Sequence, residues 1–184
     1  MEVFWAKGYE ATQLAELMAA MGINPPSFYA AFGSKEKIFL EAVDLYLATV
    51  GAGSMKALAE TANARAAIEA MLLASVDIAL ASPTSGGCMV SLALVNCQEQ
   101  NKPLRIHMQE LRRSTTSFIV QRLRRGVEED DLPKEIDVER LASYFATLMQ
   151  GLSLQAQDGA ERDDLVGTVA MAMGVLEYAE NRQP

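Results

Sequence analysis

The order of apolar and polar residues follows a helical repeat along almost the whole chain. Apolar side chains recur three and four positions apart, and no alternating pattern lasts long enough to predict a strand. Gly, Pro, Ser and Asp predict turns or breaks at residues 51–54, 82–87 and 158–159. The predicted helices cover residues 35–49, 63–81, 88–99, 103–126, 137–157 and 161–180. The chain is therefore predicted to be all-α.

Before these helices, residues 12–32 carry the signals of two short helices joined by a tight turn. The first has one apolar face, formed by Leu14, Leu17, Met18 and Met21. Thr12 is expected to cap its N-terminus, because a hydroxyl can accept a backbone N–H there. Gly22 then supplies the backbone freedom that a steep helix crossing needs. This pattern predicts a helix-turn-helix.

The second of these helices has a sharply defined start. Asn24 is a capping residue, and Pro25 and Pro26 follow at positions where a helix lacks internal donors. Phe28 and Phe32, four residues apart, are expected to pin the helix to the body of the protein. The side chains left to face a DNA groove are Ser27, Tyr29, Ala30 and Ala31.

A third helix is predicted to begin next to this unit. Ser34 can cap it, and Lys35 lies in its first turn. Free backbone amides and a lysine at a helix N-terminus together suit a phosphate group. The segment therefore predicts a phosphate contact beside the groove-facing helix.

These residues resemble the DNA-binding domain of the TetR/AcrR family of bacterial transcriptional repressors over residues 4 to about 46. The resemblance is carried by Gly8-Tyr9, Thr12, Gly22-Ile23, Phe28-Tyr29, Phe32 and Ser34-Lys35-Glu36. It implies a DNA-binding domain over residues 1–46 and a helical ligand-binding and dimerisation domain over residues 47–184. It also implies a homodimer that binds a near-palindromic operator and releases it when a small molecule enters the C-terminal domain.

The resemblance further implies which residues contact DNA. By position, Thr12, Tyr29 and Lys35 correspond to phosphate contacts. The groove-facing residues correspond to Gln13, Pro25, Pro26 and Ser27, and Asn24 completes the predicted DNA-binding set. The family has a longer first helix than residues 1–7 supply, so we expect the start of that helix to be missing here.

Charge opposes DNA binding. The chain carries a formal net charge of −8, and even residues 1–46 hold three lysines against six carboxylates. Few phosphate contacts are therefore expected, made by helix N-termini and a few well-placed side chains. This charge and the short first helix keep an alternative open, a helical ligand-binding or scaffold dimer that has lost DNA binding.

Composition limits the remaining classes. No uninterrupted apolar run reaches the roughly 18 residues that span a bilayer, and no signal peptide is evident, so a cytoplasmic location is expected. Cys88 and Cys97 lack the partners of a zinc site and are expected to be reduced. His107 is the only histidine, and no nucleophile motif accompanies it. No enzyme, metal or cofactor is therefore expected.

The C-terminal helices are expected to enclose the effector pocket. Residues 86–90 resemble the start of the family's cavity-lining helix, and ten methionines suit an adaptable apolar interior. With no charged residue clearly facing that interior, a neutral or weakly polar effector is expected. Cys88 is either a reactive thiol or a small buried hydrophobe. The predicted pocket residues are Met71, Ser75, Cys88, Met89, Leu92, Phe118 and Leu148.

The same helical repeat predicts the roles of two further surfaces. The arginines of residues 103–126 are interpreted as a solvated helix face rather than a second nucleic-acid surface. The last two helices carry apolar stripes that could form a four-helix bundle with a second copy of the chain. The predicted dimer interface consists of Leu141, Phe145, Leu148, Leu152, Leu165, Val169, Met173 and Leu176.

Overall fold

The computed structural model describes residues 1–82 and 87–180, and in this part of the chain it contains helices and no strand. The predicted all-α class is therefore confirmed. Residues 83–86 of the predicted turn lie outside the described residues. The helices are α1 (Glu2–Ala11), α2 (Leu14–Met21), α3 (Pro25–Phe32), α4 (Lys35–Ala48), α5 (Ala52–Glu60), α6 (Ala64–Leu80), α7 (Met89–Leu92), α8 (Lys102–Glu128), α9 (Val138–Gln157) and α10 (Arg162–Glu180).

Most helix boundaries agree with the repeat, and two elements differ. The helix predicted over 88–99 is wrong: α7 ends at Leu92, and the next carbonyl, that of Ala93, accepts the backbone N–H of Tyr9 at 2.8 Å. A tertiary hydrogen bond thus takes the acceptor that a longer helix would use. Helix α5 was missed because its first turn contains Gly53, yet it forms by packing against α6 and α8.

The apolar side chains form two cores. One lies among α5, α6, α8, α9 and α10, with Ile68, Leu72 and Phe145 fully buried. The other joins α1–α4 to α7 and the start of α8, so that Met89 and Met108 pack with Phe4 and Phe39. The proposed division after residue 46 stays a prediction, and the N-terminal core is completed by residues that follow it.

The apolar stripes of α9 and α10 point into the protein. Seven of the eight residues predicted to form a dimer interface are buried in the core of this single chain, and Leu148 packs against the same core. The prediction of those side chains as the interface is therefore wrong, because the repeat identifies a buried face without showing what covers it. They are Leu141, Phe145, Leu148, Leu152, Leu165, Val169, Met173 and Leu176.

One segment, Lys35–Glu60, is long and apolar enough to cross a membrane by length and composition alone. In the fold it is two helices, α4 and α5, separated by Thr49–Gly51. Its apolar side chains Phe39, Val43 and Leu58 are buried in the two cores. One such segment is weak evidence for a membrane span, because helices of a folded bundle also pass the test of length and composition.

Candidate DNA-binding surface and effector cavity

The turn between α2 and α3 has the geometry that the sequence predicts. Gly22 ends α2 in the left-handed conformation, with φ 65° and ψ 30°, and its N–H donates to the Ala19 carbonyl oxygen at 3.2 Å. Asn24 caps α3 by accepting the Ser27 backbone N–H at 2.9 Å, with prolines in the first helical turn. The start of α3 is thus fixed by local hydrogen bonds.

Helix α3 is anchored on one side and open on the other. Phe28 is fully buried and its ring lies 5.5 Å from that of the half-buried Phe32. Tyr29, on the other side, is 53% exposed. The remaining exposed residues of the predicted DNA-binding set are Gln13, Asn24, Pro25, Pro26 and Ser27. These six exposed residues, including Tyr29, are here called the α3 surface.

Thr12 does not belong to this surface. Its side chain is 2% exposed, and its hydroxyl donates to the Gly8 carbonyl oxygen at 2.6 Å. Gln13, not Thr12, is the N-cap of α2, and the Glu16 carboxylate accepts the Gln13 N–H at 2.9 Å. The prediction of Thr12 as a helix cap is therefore wrong, and the buried hydroxyl is not available to a phosphate.

Lys35 lies at the edge of the α3 surface. Ser34 caps α4 as predicted, accepting the Lys37 N–H at 3.1 Å, and the amides before Lys37 have no acceptor within the helix. The Lys35 ammonium lies over the Tyr9 ring, 4.4 Å from its centroid. Burial lowers the pKa of Lys35, an effect that Glu10 opposes. A ring contact therefore holds this cation close to the N-terminus of α4.

A cavity of about 170 Å³ lies between α4, α5, α7, α8 and α9. Of the predicted pocket residues, Cys88 and Phe118 line it. Met71 and Met89 are fully buried, each in a different core, and the Ser75 hydroxyl donates to the Leu72 carbonyl oxygen. Leu92 and Leu148 do not line this cavity. The pocket predicted from residue type is thus only partly the one that the fold forms.

The cavity wall carries polar groups that sequence reasoning missed. Arg112 lines it, contrary to the expectation that no charged residue faces the interior, and its Nη1 donates to the Val90 carbonyl oxygen at 2.8 Å. Arg112 lies four residues after the buried Met108, so its place beside the inward stripe of α8 was the available signal. The Tyr46 hydroxyl is buried and meets no hydrogen-bond partner among the described residues.

The same cavity wall is tied to the DNA-binding part. Trp5 Nε1 donates to the Gly87 carbonyl oxygen at 2.7 Å, and the Tyr9 N–H donates to that of Ala93 at 2.8 Å. The Glu10 carboxylate accepts the Gln98 N–H at 2.8 Å. Residues 87–98, which supply one side of the cavity, therefore hold α1 by three hydrogen bonds on both sides of its break at Gly8.

The other residues singled out from sequence have structural surroundings. His107 is half-buried and borders a shallow cleft with Glu36 and Asp44. Most of the α8 arginines are exposed or half-buried, but Arg122 is 4% exposed and donates to the carbonyl oxygens of Thr61 and Ala62. Within the described residues no group of three His, Cys, Asp or Glu side chains could hold a metal ion.

A capped helix-turn-helix with an exposed second helix, joined to a larger helical domain that contains a cavity, defines a DNA-binding transcriptional regulator. The chain matches the family of bacterial regulatory proteins of the tetR type over residues 1–42, and the tetracyclin repressor-like C-terminal domain over residues 55–169. It therefore belongs to the TetR family of bacterial regulators.

Relatives and solved structures agree with this family. The chain is 30% identical to the transcriptional repressor ComR of Escherichia coli K12, covering 90% of this chain and 80% of ComR. It is 28% identical to the repressor BdcR of the same strain, over 92% of this chain and 81% of BdcR. It also resembles the TetR-family regulator CifR in a complex with a 26-base-pair operator DNA, with a TM-score of 0.90, 36% identity and coverage of 94% and 91%.

Proposed function

We propose that this regulator is a cytoplasmic repressor that binds a two-fold operator as a homodimer and releases it when a small molecule occupies the cavity. Relatives named as repressors and a similar regulator bound to operator DNA support this proposal. Release requires only that the small molecule bind the DNA-incompetent conformation better than the competent one.

The observation that carries the proposal is the α3 surface. Its backbone is fixed by the Asn24 cap and the buried Phe28, while Ser27 and Tyr29 stay exposed at the end that would enter a major groove. Small or flat side chains permit close approach of the helix to base edges. Within the predicted DNA-binding set, we propose Gln13, Ser27, Tyr29 and Lys35 as the contacting side chains.

Ser27→Glu tests this assignment directly. A carboxylate on the α3 surface repels phosphates, so we expect the affinity for a fragment of the regulator's own promoter to fall at least about tenfold. Fluorescence anisotropy with labelled duplex measures it. Ser117→Glu makes the same change on an exposed position of α8 and is expected to leave affinity unchanged. Equal losses in both variants would show that overall charge, not the α3 surface, controls binding.

A second outcome bears on the alternative function. The unaltered protein could fail to bind every promoter fragment, including that of its own gene, while small molecules still bind the cavity. That result would favour the alternative function, a helical ligand-binding dimer that has lost DNA binding.

A further inference from the structure

We propose that the cavity binds a compact organic monoanion, a single apolar ring or short alkyl group bearing one carboxylate, whose oxygens are held by Arg112 and Tyr46. The inference names the chemical class of the effector of the proposed repressor. Only the experiment that measures release of DNA rests on that proposed function; the binding experiment does not. It replaces the neutral effector that sequence composition suggested.

The first observation is a cation without an anion. Arg112 is half-buried at the cavity wall, and no carboxylate forms an ion pair with it within the described residues. Its guanidinium uses Nη1 on the Val90 carbonyl oxygen, and burial, then Arg105, lowers its pKa. A planar guanidinium offers further N–H groups to a carboxylate in a bidentate pair, so an anion in the cavity would complete this site.

The second observation is a donor without an acceptor. Tyr46 is 1% exposed and is one of the residues that line the cavity, and its hydroxyl is buried without a hydrogen-bond partner in the described part of the chain. Burial raises the pKa of this phenol far above its usual value; Cys88 adds to the rise and the Met89 backbone N–H opposes it, so the hydroxyl stays protonated and able to donate. A buried unpartnered donor is costly and indicates a missing acceptor.

The ring of Tyr46 has a defined place. A Cβ on Gly51 would come within 2.6 Å of that ring, so only glycine leaves room for it at this point of the chain. Gly51 also donates its N–H to the Tyr46 carbonyl oxygen at 2.8 Å. The ring, and with it the buried hydroxyl, is therefore held in place rather than free to turn toward solvent.

The size and lining of the cavity limit the rest of the ligand. Met55, Leu111, Phe118 and Met149 supply apolar wall opposite the polar groups. A volume of about 170 Å³ is close to that of an engineered apolar cavity of about 150 Å³ that binds benzene. One ring or a chain of similar volume therefore fits, whereas a drug-sized molecule does not.

The site also has a short route to the DNA-binding part. Val90, whose carbonyl oxygen accepts the hydrogen bond from Arg112, lies on α7 between the carbonyls that hold Trp5 and Tyr9. The Trp5 ring packs edge-on against that of Tyr46, with centroids 5.2 Å apart. An anion bound by Arg112 and Tyr46 would therefore act on two of the three hydrogen bonds that hold α1, those of Trp5 and Tyr9.

The test uses the full-length purified protein and pairs of matched probes: benzoate with benzamide, and hexanoate with hexanamide. Titration calorimetry is expected to show each carboxylate binding at least about tenfold more tightly than its amide, since charged hydrogen bonds distinguish the pair. Arg112→Gln should abolish that preference, and Tyr46→Phe should weaken carboxylate binding about tenfold. Arg105→Gln, a neighbouring arginine that does not line the cavity, should preserve the preference.

Three results would overturn the inference: no binding by either carboxylate, equal binding of acid and amide, or the same loss in Arg105→Gln as in Arg112→Gln.

Adding benzoate to the promoter complex tests the route to α1 separately. Release of DNA is expected from the unaltered protein and not from Arg112→Gln. If benzoate binds through Arg112 but DNA affinity does not change, the route through α7 is wrong while the binding site stands. If no promoter binding is found at all, the proposed function fails and calorimetry still decides the site.

Discussion

Among single residues, Gly8 is the position where both the backbone conformation and the neighbouring atoms require glycine. Its φ of 71° and ψ of 177° belong to a region that essentially only glycine adopts. A Cβ there would lie 2.8 Å from the Ala93 carbonyl oxygen, the acceptor of the Tyr9 N–H. Gly22 also has a positive φ, 65°, but a Cβ there would meet nothing within 4 Å. A substitution at Gly22 therefore tests backbone strain alone, whereas one at Gly8 tests strain together with steric overlap.

We expect Gly8→Ala to lower the free energy of unfolding by about 3 kcal/mol, because the overlap with Ala93 adds to the backbone strain. Gly22→Ala should cost only about 1 kcal/mol, the penalty of a left-handed alanine. Urea denaturation followed by circular dichroism measures both. A loss in Gly8→Ala no larger than in Gly22→Ala would show that α1 and α7 can separate at little cost.

Residues with local partners were the ones predicted correctly from sequence. Asn24 and Ser34 cap helices whose amides lie three positions away, and the burial of Phe28 follows from its helical spacing. Thr12 was misassigned because its hydroxyl turns back one helical turn to Gly8. The unpartnered hydroxyl of Tyr46 could not be predicted, since it depends on α7 and α8 meeting α4.

Between elements, the connection from α5 to α6 is fastened by the end of α8. Arg122 donates to the carbonyl oxygens of Thr61 and Ala62, the second at 2.6 Å. Asp131 accepts the Ala64 N–H at 2.9 Å, and its carboxylate lies 4.0 Å from the guanidinium of Arg122. Asp131, in the acidic segment that follows α8, therefore satisfies a backbone N–H at the N-terminus of α6 and faces a buried cation.

Asp131→Ala should lower the free energy of unfolding by about 2 kcal/mol, because it removes the acceptor of the Ala64 N–H and the carboxylate that lies 4.0 Å from the buried Arg122. Asp131→Asn keeps an acceptor and should lose about half as much. Thermal unfolding monitored by calorimetry compares them. Glu128→Ala removes an exposed charge from the same region and should change stability by less than about 0.5 kcal/mol. If the two alanine variants lose equally, the Asp131 contacts contribute nothing specific.

Helices α9 and α10 show what a helical repeat determines and what it does not. The repeat placed both helices correctly, and it identified the side chains of their apolar stripes. It could not decide whether those stripes meet α6 and α8 of the same chain or a second copy. The repeat likewise could not predict the length of α7, because that helix ends where the Ala93 carbonyl oxygen accepts a hydrogen bond from α1.

For the whole molecule, the outward side of α9 and α10 is the remaining candidate for the homodimer interface. Met171 is 83% exposed, Leu154 47% and Tyr144 38%. Gly151 and Gly167 also face open space, since a Cβ there would meet nothing within 4 Å. Two exposed helices with apolar and small residues can pack closely against their own copies around a two-fold axis. We propose this outward face in place of the buried stripes.

Met171→Glu tests that face. It would bring like charges together across the two-fold axis, so we expect the dimer dissociation constant to rise at least about 100-fold, as measured by sedimentation equilibrium. Promoter affinity should fall with it, because each operator half-site needs its own α3 surface held at a fixed spacing.

Ile106→Glu makes the same change on an apolar residue of α8 that is 43% exposed, and it should leave the dimer intact. The melting temperature of Met171→Glu, taken at a concentration where the unaltered protein is dimeric, identifies any general unfolding. A monomeric unaltered protein, or a Met171→Glu variant that stays folded and dimeric, would show that copies of this chain meet on another surface or do not meet.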